Sequence, residues 1–159
     1  MMKQRGFSLI ELLIVVAIIL IIAAIAIPSF MRARMAANES SAAASLRTIN
    51  TAEVSYATAY PTVGFTVLTN LGQGTGGACT PSSTSGCFLD AFLSNSASTA
   101  PGKDGFIFTI TATASAYTSL ASPTSLNTTG TRSFCSDQNG VIYFNIGALT
   151  CDNTGTPLQ

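Results

Sequence analysis

MMKQRGFSLIELLIVVAIILIIAAIAIPSF, residues 1–30, sets a short basic leader against an apolar run interrupted by a single carboxylate. From Phe7 to Ile27 the 21 residues hold only two strongly polar members, Ser8 and Glu11. As a helix that run rises roughly 30 Å, the thickness of a bilayer core. A secretory signal peptide is the ordinary explanation of such a start, but its apolar region usually covers about 7 to 15 residues and ends at small residues. This run is longer and carries an acid near its head. A carboxylate within a span costs about 2.5–3.5 kcal/mol on insertion scales, so its default reading is functional and it requires a partner. Glu11 is that acid.

The run, read densely from Lys3 to Pro28, resembles the processing and assembly signal of type IV pilins and the related type II secretion pseudopilins. The resemblance implies cleavage after Gly6 by a prepilin peptidase and methyltransferase, which exposes and N-methylates Phe7. Glu11 then becomes the fifth residue of the mature chain. Its carboxylate is implied to pair with the Phe7 ammonium of a neighbouring copy as helices pack into a fibre. Physics favours the same arrangement, since a buried charge is tolerated only when paired and hydrogen-bonded. Lys3 and Arg5 bias the amino end towards the cytoplasm, which puts the residues after the span on the exported side.

Pro28 is the first helix-breaking residue of the run, so a kink or local loosening is expected there. Beyond it, alanine-rich sequence without glycine until Gly64 predicts that helix resumes and runs to about Tyr60, where Pro61 stops it. Ala42, Leu46, Ile49, Tyr56 and Tyr60 fall on one face and should pack on a core. Arg32, Arg34, Glu39, Arg47 and Glu53 are expected to be solvated or intersubunit charges. The aromatics Phe7, Phe30, Tyr56 and Tyr60 are too sparse to favour an electron-conducting fibre.

Residues 61–103 read as a long loop with at most short elements. LGQGTGG, residues 71–77, lacks the GK[ST] that a phosphate loop needs. From Gly105 the period becomes two: Phe106, Phe108, Ile110 and Ala112 point one way, and the intervening residues the other. AYTSLAS, ended by Pro123, is a weaker strand. TRSFCS and VIYFN flank DQNG, where Asn139 and Gly140 suit the positive φ of a hairpin turn. Three or four antiparallel strands after one long helix predict an α+β fold in which the sheet covers the helix stripe. The pilin lollipop, a helical spine with a small sheet head, agrees. The expected organisation is a leader at 1–6, an assembly and membrane helix at 7–27, its head-packed continuation at 28–60, and a head at 61–159.

The 159 residues are 47% hydrophobic, with seven basic and seven acidic side chains. Cleavage of the leader leaves five basic against seven acidic, a net of minus two, and no broad basic surface for nucleic acid. Four cysteines, no C-x-x-C pair and no histidine disfavour zinc, thioredoxin-like redox chemistry and cysteine-protease catalysis. Disulfides are the better reading. Three connectivities exist, and neighbour pairing joins Cys79 with Cys87 and Cys135 with Cys151. The latter resembles the carboxy-terminal disulfide loop of many type IV pilins and, in the chain-entropy model, contributes about 3 kcal/mol. Calcium, held by pseudopilins in an acidic carboxy-terminal loop, would need oxygens from Asp137, Asp152, Asn139 and Asn153, although turn roles explain these equally well. No acid and base pair is convincing, so neither an enzyme nor a cofactor is expected.

The resemblance thus implies a structural pilus subunit that inserts in the inner membrane and polymerises with itself into a surface fibre for adhesion or motility. Its partners would be the peptidase and methyltransferase, the inner-membrane assembly machinery and, before assembly, lipid. The alternatives are a pseudopilin of a short periplasmic pseudopilus, a minor pilin, and a membrane-anchored monomeric binding module. The leader motif makes a direct prediction: intact mass spectrometry of the assembled protein finds a chain beginning at Phe7 with one added methyl. A chain beginning near Pro28 would mark a conventional signal peptide.

Overall fold

The computed structural model describes residues 7–73, 79–96, 102–152 and 154–158. Lys3, Arg5 and Gly6 of the leader, Gly74, Gly76 and Gly77 of the glycine-rich stretch, and Asn153 lie outside the described residues. The chain divides into two units, one ending at Arg34 and the other beginning at Met35.

Helix α1 spans Leu9–Ala59 and passes through Pro28. Proline removes one backbone donor, the one that would reach the Ala24 carbonyl, and intact turns on either side carry the helix across. In the first unit the large apolar side chains of this helix are exposed all round, from Leu9 at 80% to Ile25 at 74%. In the second unit one stripe is buried: Ala42, Leu46, Ile49, Ala52 and Tyr56. The opposite face keeps its hydroxyls occupied, as Thr48, Thr51, Ser55 and Thr58 each donate to the carbonyl four residues earlier. Those bonds let β-branched residues sit in a helix without competing for its amides. Helix ends one residue before the expected Tyr60. Gly64 then donates to the Tyr60 carbonyl at a φ of +79°, where a Cβ would collide with the Ala114 carbonyl.

Two four-residue helices, α2 (Leu68–Leu71) and α3 (Ala91–Ser94), anchor the connecting region through buried Leu68, Leu71 and Leu93. Asp90 caps α3 by accepting from the Leu93 amide at 2.7 Å. The rest is a five-stranded antiparallel meander in the order β1-β2-β3-β4-β5. Its strands are β1 (Phe106–Ala112), β2 (Tyr117–Pro123), β3 (Arg132–Asp137), β4 (Ile142–Ile146) and β5 (Thr156–Pro157). The period-two pattern of β1 matches its burial, with Phe106, Phe108 and Ile110 inside and Thr109 and Thr111 outside. Pro123 is the last residue of β2, not the one after it.

Two details depart from the sequence reading. The fifth strand was not foreseen, because two residues, one of them proline, carry no periodic signal. In the β3–β4 turn only Gly140 has positive φ, at +75°, and Asn139 does not. The Asp137 carbonyl accepts from the Gly140 amide at 2.9 Å, so the glycine alone absorbs the left-handed step.

The core joins the α1 stripe with Phe106, Phe108, Tyr117, Phe134 and Ile142 of the sheet. Fold and expectation agree at the level of class: one long amino-terminal helix and an antiparallel sheet, α+β. Disulfides join Cys79 with Cys87 and Cys135 with Cys151, at Cα separations of 5.9 and 5.5 Å. The second ties β3 to the carboxy-terminal segment, where Ser133 Oγ also donates to the Thr150 carbonyl. The first closes a loop held to the helix by Tyr56, whose hydroxyl donates to the Ser83 carbonyl.

Candidate functional site

The apolar helix starts at Leu9, and Ser8 occupies the position before its first turn. Glu11 lies three residues on, and its Oε2 accepts from the Ser8 amide at 2.9 Å. S-x-x-E is the capping-box pattern, in which the acid satisfies an amide that the helix leaves unpaired. That pattern is legible in residues 8–11 and gives Glu11 a role within its own helix beside the expected intersubunit one. The carboxylate is exposed in the single chain, at the end of the helix where a negative charge is favoured by the aligned peptide dipoles. Phe7, also exposed, immediately precedes the cap. The first unit therefore presents an apolar helix, a fixed carboxylate at its head and, at Phe7, the residue at which the resemblance places a new amino terminus. Among the described residues one helix, Leu9–Ala59, is long and apolar enough to cross a membrane.

Pro28 is the twentieth residue of the same helix, and the cysteines lie in the second unit as the two disulfides described above. The expectation that Glu39 and Glu53 are solvated or intersubunit charges is overturned, since both are buried. Glu39 accepts from the Thr131 amide at 2.7 Å, the Thr131 hydroxyl at 2.8 Å, the Arg132 amide at 3.1 Å and Arg132 Nε at 2.7 Å. Burial pushes its carboxyl up, but the Thr131 amide and the Arg132 and Thr131 side chains more than offset this and hold it below the usual value. The Arg132 guanidinium also lies over the rings of Phe134 and Phe144, at 5.5 and 5.2 Å from their centroids. This cluster pins the helix to the start of β3.

Glu53 is fully buried, with Oε2 accepting from the Thr66 amide at 3.1 Å and Oε1 without a hydrogen-bond partner. Burial pushes its carboxyl up to about 7, against the lowering effect of the Thr66 amide. Tyr117 is raised to about 12, first by burial and then by the charges of Glu53 and Asp137. A sequence signal for both acids existed. The stripe 42, 46, 49, 56 skips the helical position between Ile49 and Tyr56, and Glu53 fills it; stepping back three residues from Ala42 reaches Glu39.

The acidic loop residues are engaged locally. Asp137 accepts from the Asn139 amide and side chain at 2.9 and 3.1 Å, and Asp152 accepts from the Thr154 hydroxyl at 2.8 Å. That hydroxyl is the main cause of a lowered Asp152 carboxyl. Among the described residues no three His, Cys, Asp or Glu side chains group as a metal site would require.

The family described as prokaryotic N-terminal methylation motif matches residues 1–27. The amino-terminal segment is thus similar to that motif family. The chain is also 50% identical over 54 residues to the type IV major pilin protein PilA of Myxococcus xanthus (strain DK1622). That match covers 34% of this chain and 24% of the relative, so the chain spans about a quarter of the pilin it matches. No solved structure matches the chain. The matched motif overlaps the start of the helix and the carboxylate described above.

Glu53 generates a prediction about pH. A carboxyl whose folded pKa is raised keeps a proton that the unfolded chain has released, so its stabilising effect is complete below about 4.5 and is lost as pH rises through about 7. At roughly 1.4 kcal/mol per unit the loss is about 3 kcal/mol. Urea unfolding of the detergent-solubilised chain should therefore show stability falling between pH 4.5 and 7. Glu53→Gln should flatten that slope and stabilise the head at pH 8. An unchanged slope would show that Glu53 folds ionised.

Proposed function

We propose that the chain is the structural subunit of a type IV pilus, cut after Gly6, methylated at Phe7, and polymerised through its apolar helix into a surface fibre. The observation that carries this reading is the exposed apolar helix headed by one fixed carboxylate, within a segment that matches the methylation motif. Before assembly the same surface suits lipid. A single inner-membrane span with its amino end in the cytoplasm would store the subunit there. Assembly would then exchange lipid for neighbouring helices.

In this exchange Glu11 has a defined task. Leaving the membrane takes the Phe7 ammonium of each incoming copy into an apolar bundle, where an unpaired charge is not tolerated. The Glu11 carboxylate, held at the helix head by the Ser8 amide, is the acceptor we assign to it. Processing would require a prepilin peptidase and methyltransferase, and extraction the inner-membrane assembly machinery. Adhesion or motility is the use we assign to the finished fibre. The similarity to a protein named a major pilin favours a pilus over a periplasmic pseudopilus.

Comparison of membrane and sheared-fibre fractions tests the assignment. Glu11→Ala should insert and fold normally, since it removes a costly group from the span. It should fail to polymerise, because an uncompensated buried charge costs about 3–5 kcal/mol. Glu11→Gln keeps shape without charge and should do nearly as badly. Normal fibre yield from Glu11→Ala would instead favour the monomeric anchored module.

A further inference from the structure

Arg47 is exposed on α1 and makes no ion pair among the described residues. It lines a groove with Ser40, Ala43, Arg132 and Leu158. Arg132 gives Nε to Glu39, whose carboxylate already accepts four hydrogen bonds, and no other guanidinium nitrogen of Arg132 has a hydrogen-bonded partner among the described residues. Two cations against one saturated carboxylate leave the groove positive.

A carboxylate stands on the other flank of the same helix. Asp104 is exposed, with Oδ2 accepting from Ser41 Oγ at 2.6 Å and no cation paired to it among the described residues. The neighbouring Lys103 turns its ammonium inward, donating to buried Ser45 Oγ at 2.8 Å. At 100° per residue, positions 40, 43 and 47 border one edge of the buried stripe and positions 41 and 45 the other, roughly 150° apart across the exposed face. The other exposed acids of the second unit are less suited: Asp90 caps α3, and Asp152 is held by Thr154.

We propose that these flanks are the two halves of a heterologous contact between the second units of successive copies, in which the Arg47 and Arg132 groove receives the Asp104 carboxylate of the next copy. This rests on the polymer reading above. An open helical fibre is built from a heterologous interface, so one subunit must carry two different and complementary patches. Opposite charges on opposite flanks of one helix meet that requirement. An isologous pairing of either flank would set like charges together.

Two measurements on sheared fibres test the contact. Arg47→Glu should lower fibre yield by roughly tenfold or more, through like-charge repulsion, while the melting temperature and both disulfides stay as in the wild type. Fibres of Arg47→Lys, which retain the charge, should give an amide cross-link between positions 47 and 104 of different subunits after carbodiimide treatment, mapped by mass spectrometry. Wild-type yield from Arg47→Glu, or cross-linked fibres without a 47–104 linkage, would overturn the proposal and leave the polymer reading intact. Absence of fibres from the wild-type chain would overturn both.

Discussion

Fifteen large apolar side chains between Leu9 and Phe30 lie exposed on one helix, and water cannot be their resting place. At about 1.5–3 kcal/mol for each such side chain buried, the imbalance is on the order of tens of kcal/mol. A whole domain is stable by only about 5–15 kcal/mol. No arrangement of the head compensates for that surface, so the segment must be covered by lipid or by other helices. A helix apolar on all sides suits both, because neither environment asks for a polar face. The single carboxylate then acquires its meaning: it is the one group in the span that lipid serves poorly and a cationic neighbour serves well.

The second unit resolves a different constraint. Its part of α1 has a conventional buried stripe, yet two of the stripe positions are acids. Glu39 is fully supplied with donors from Thr131 and Arg132 and acts as a fixed link between helix and sheet. Glu53 is buried with only one donor to offset that burial, and burial raises its affinity for a proton. Identical side chains at equivalent helical positions therefore differ because one loop brings an arginine and the other only a backbone amide. The two acids act on stability in opposite senses of pH, Glu39 favouring the ionised and Glu53 the protonated fold.

The sequence made the long helix legible through an unbroken apolar run and then an alanine-rich, glycine-free stretch, and it made β1 legible through strict alternation. The buried acids were not read because charge was taken as a sign of exposure, whereas position on the stripe was the better guide. β5 left no trace, since two residues cannot display a period and its pairing with β4 depends on a chain reversal after Cys151. At the amino end the capping box was written plainly in Ser8 and Glu11. Only the structure shows that the carboxylate proposed for a neighbour already serves its own helix. These two roles are compatible, because the cap uses one oxygen.

The central claim is that the apolar helix is covered by other copies of itself. An electron cryomicroscopy reconstruction of the sheared fibre tests it most directly. The account predicts a central bundle of residues 7–30 from successive subunits, dry within, with the Phe7 nitrogen of one copy against the Glu11 carboxylate of another. Fibres joined through their heads alone, with this helix outside the contact, would contradict it.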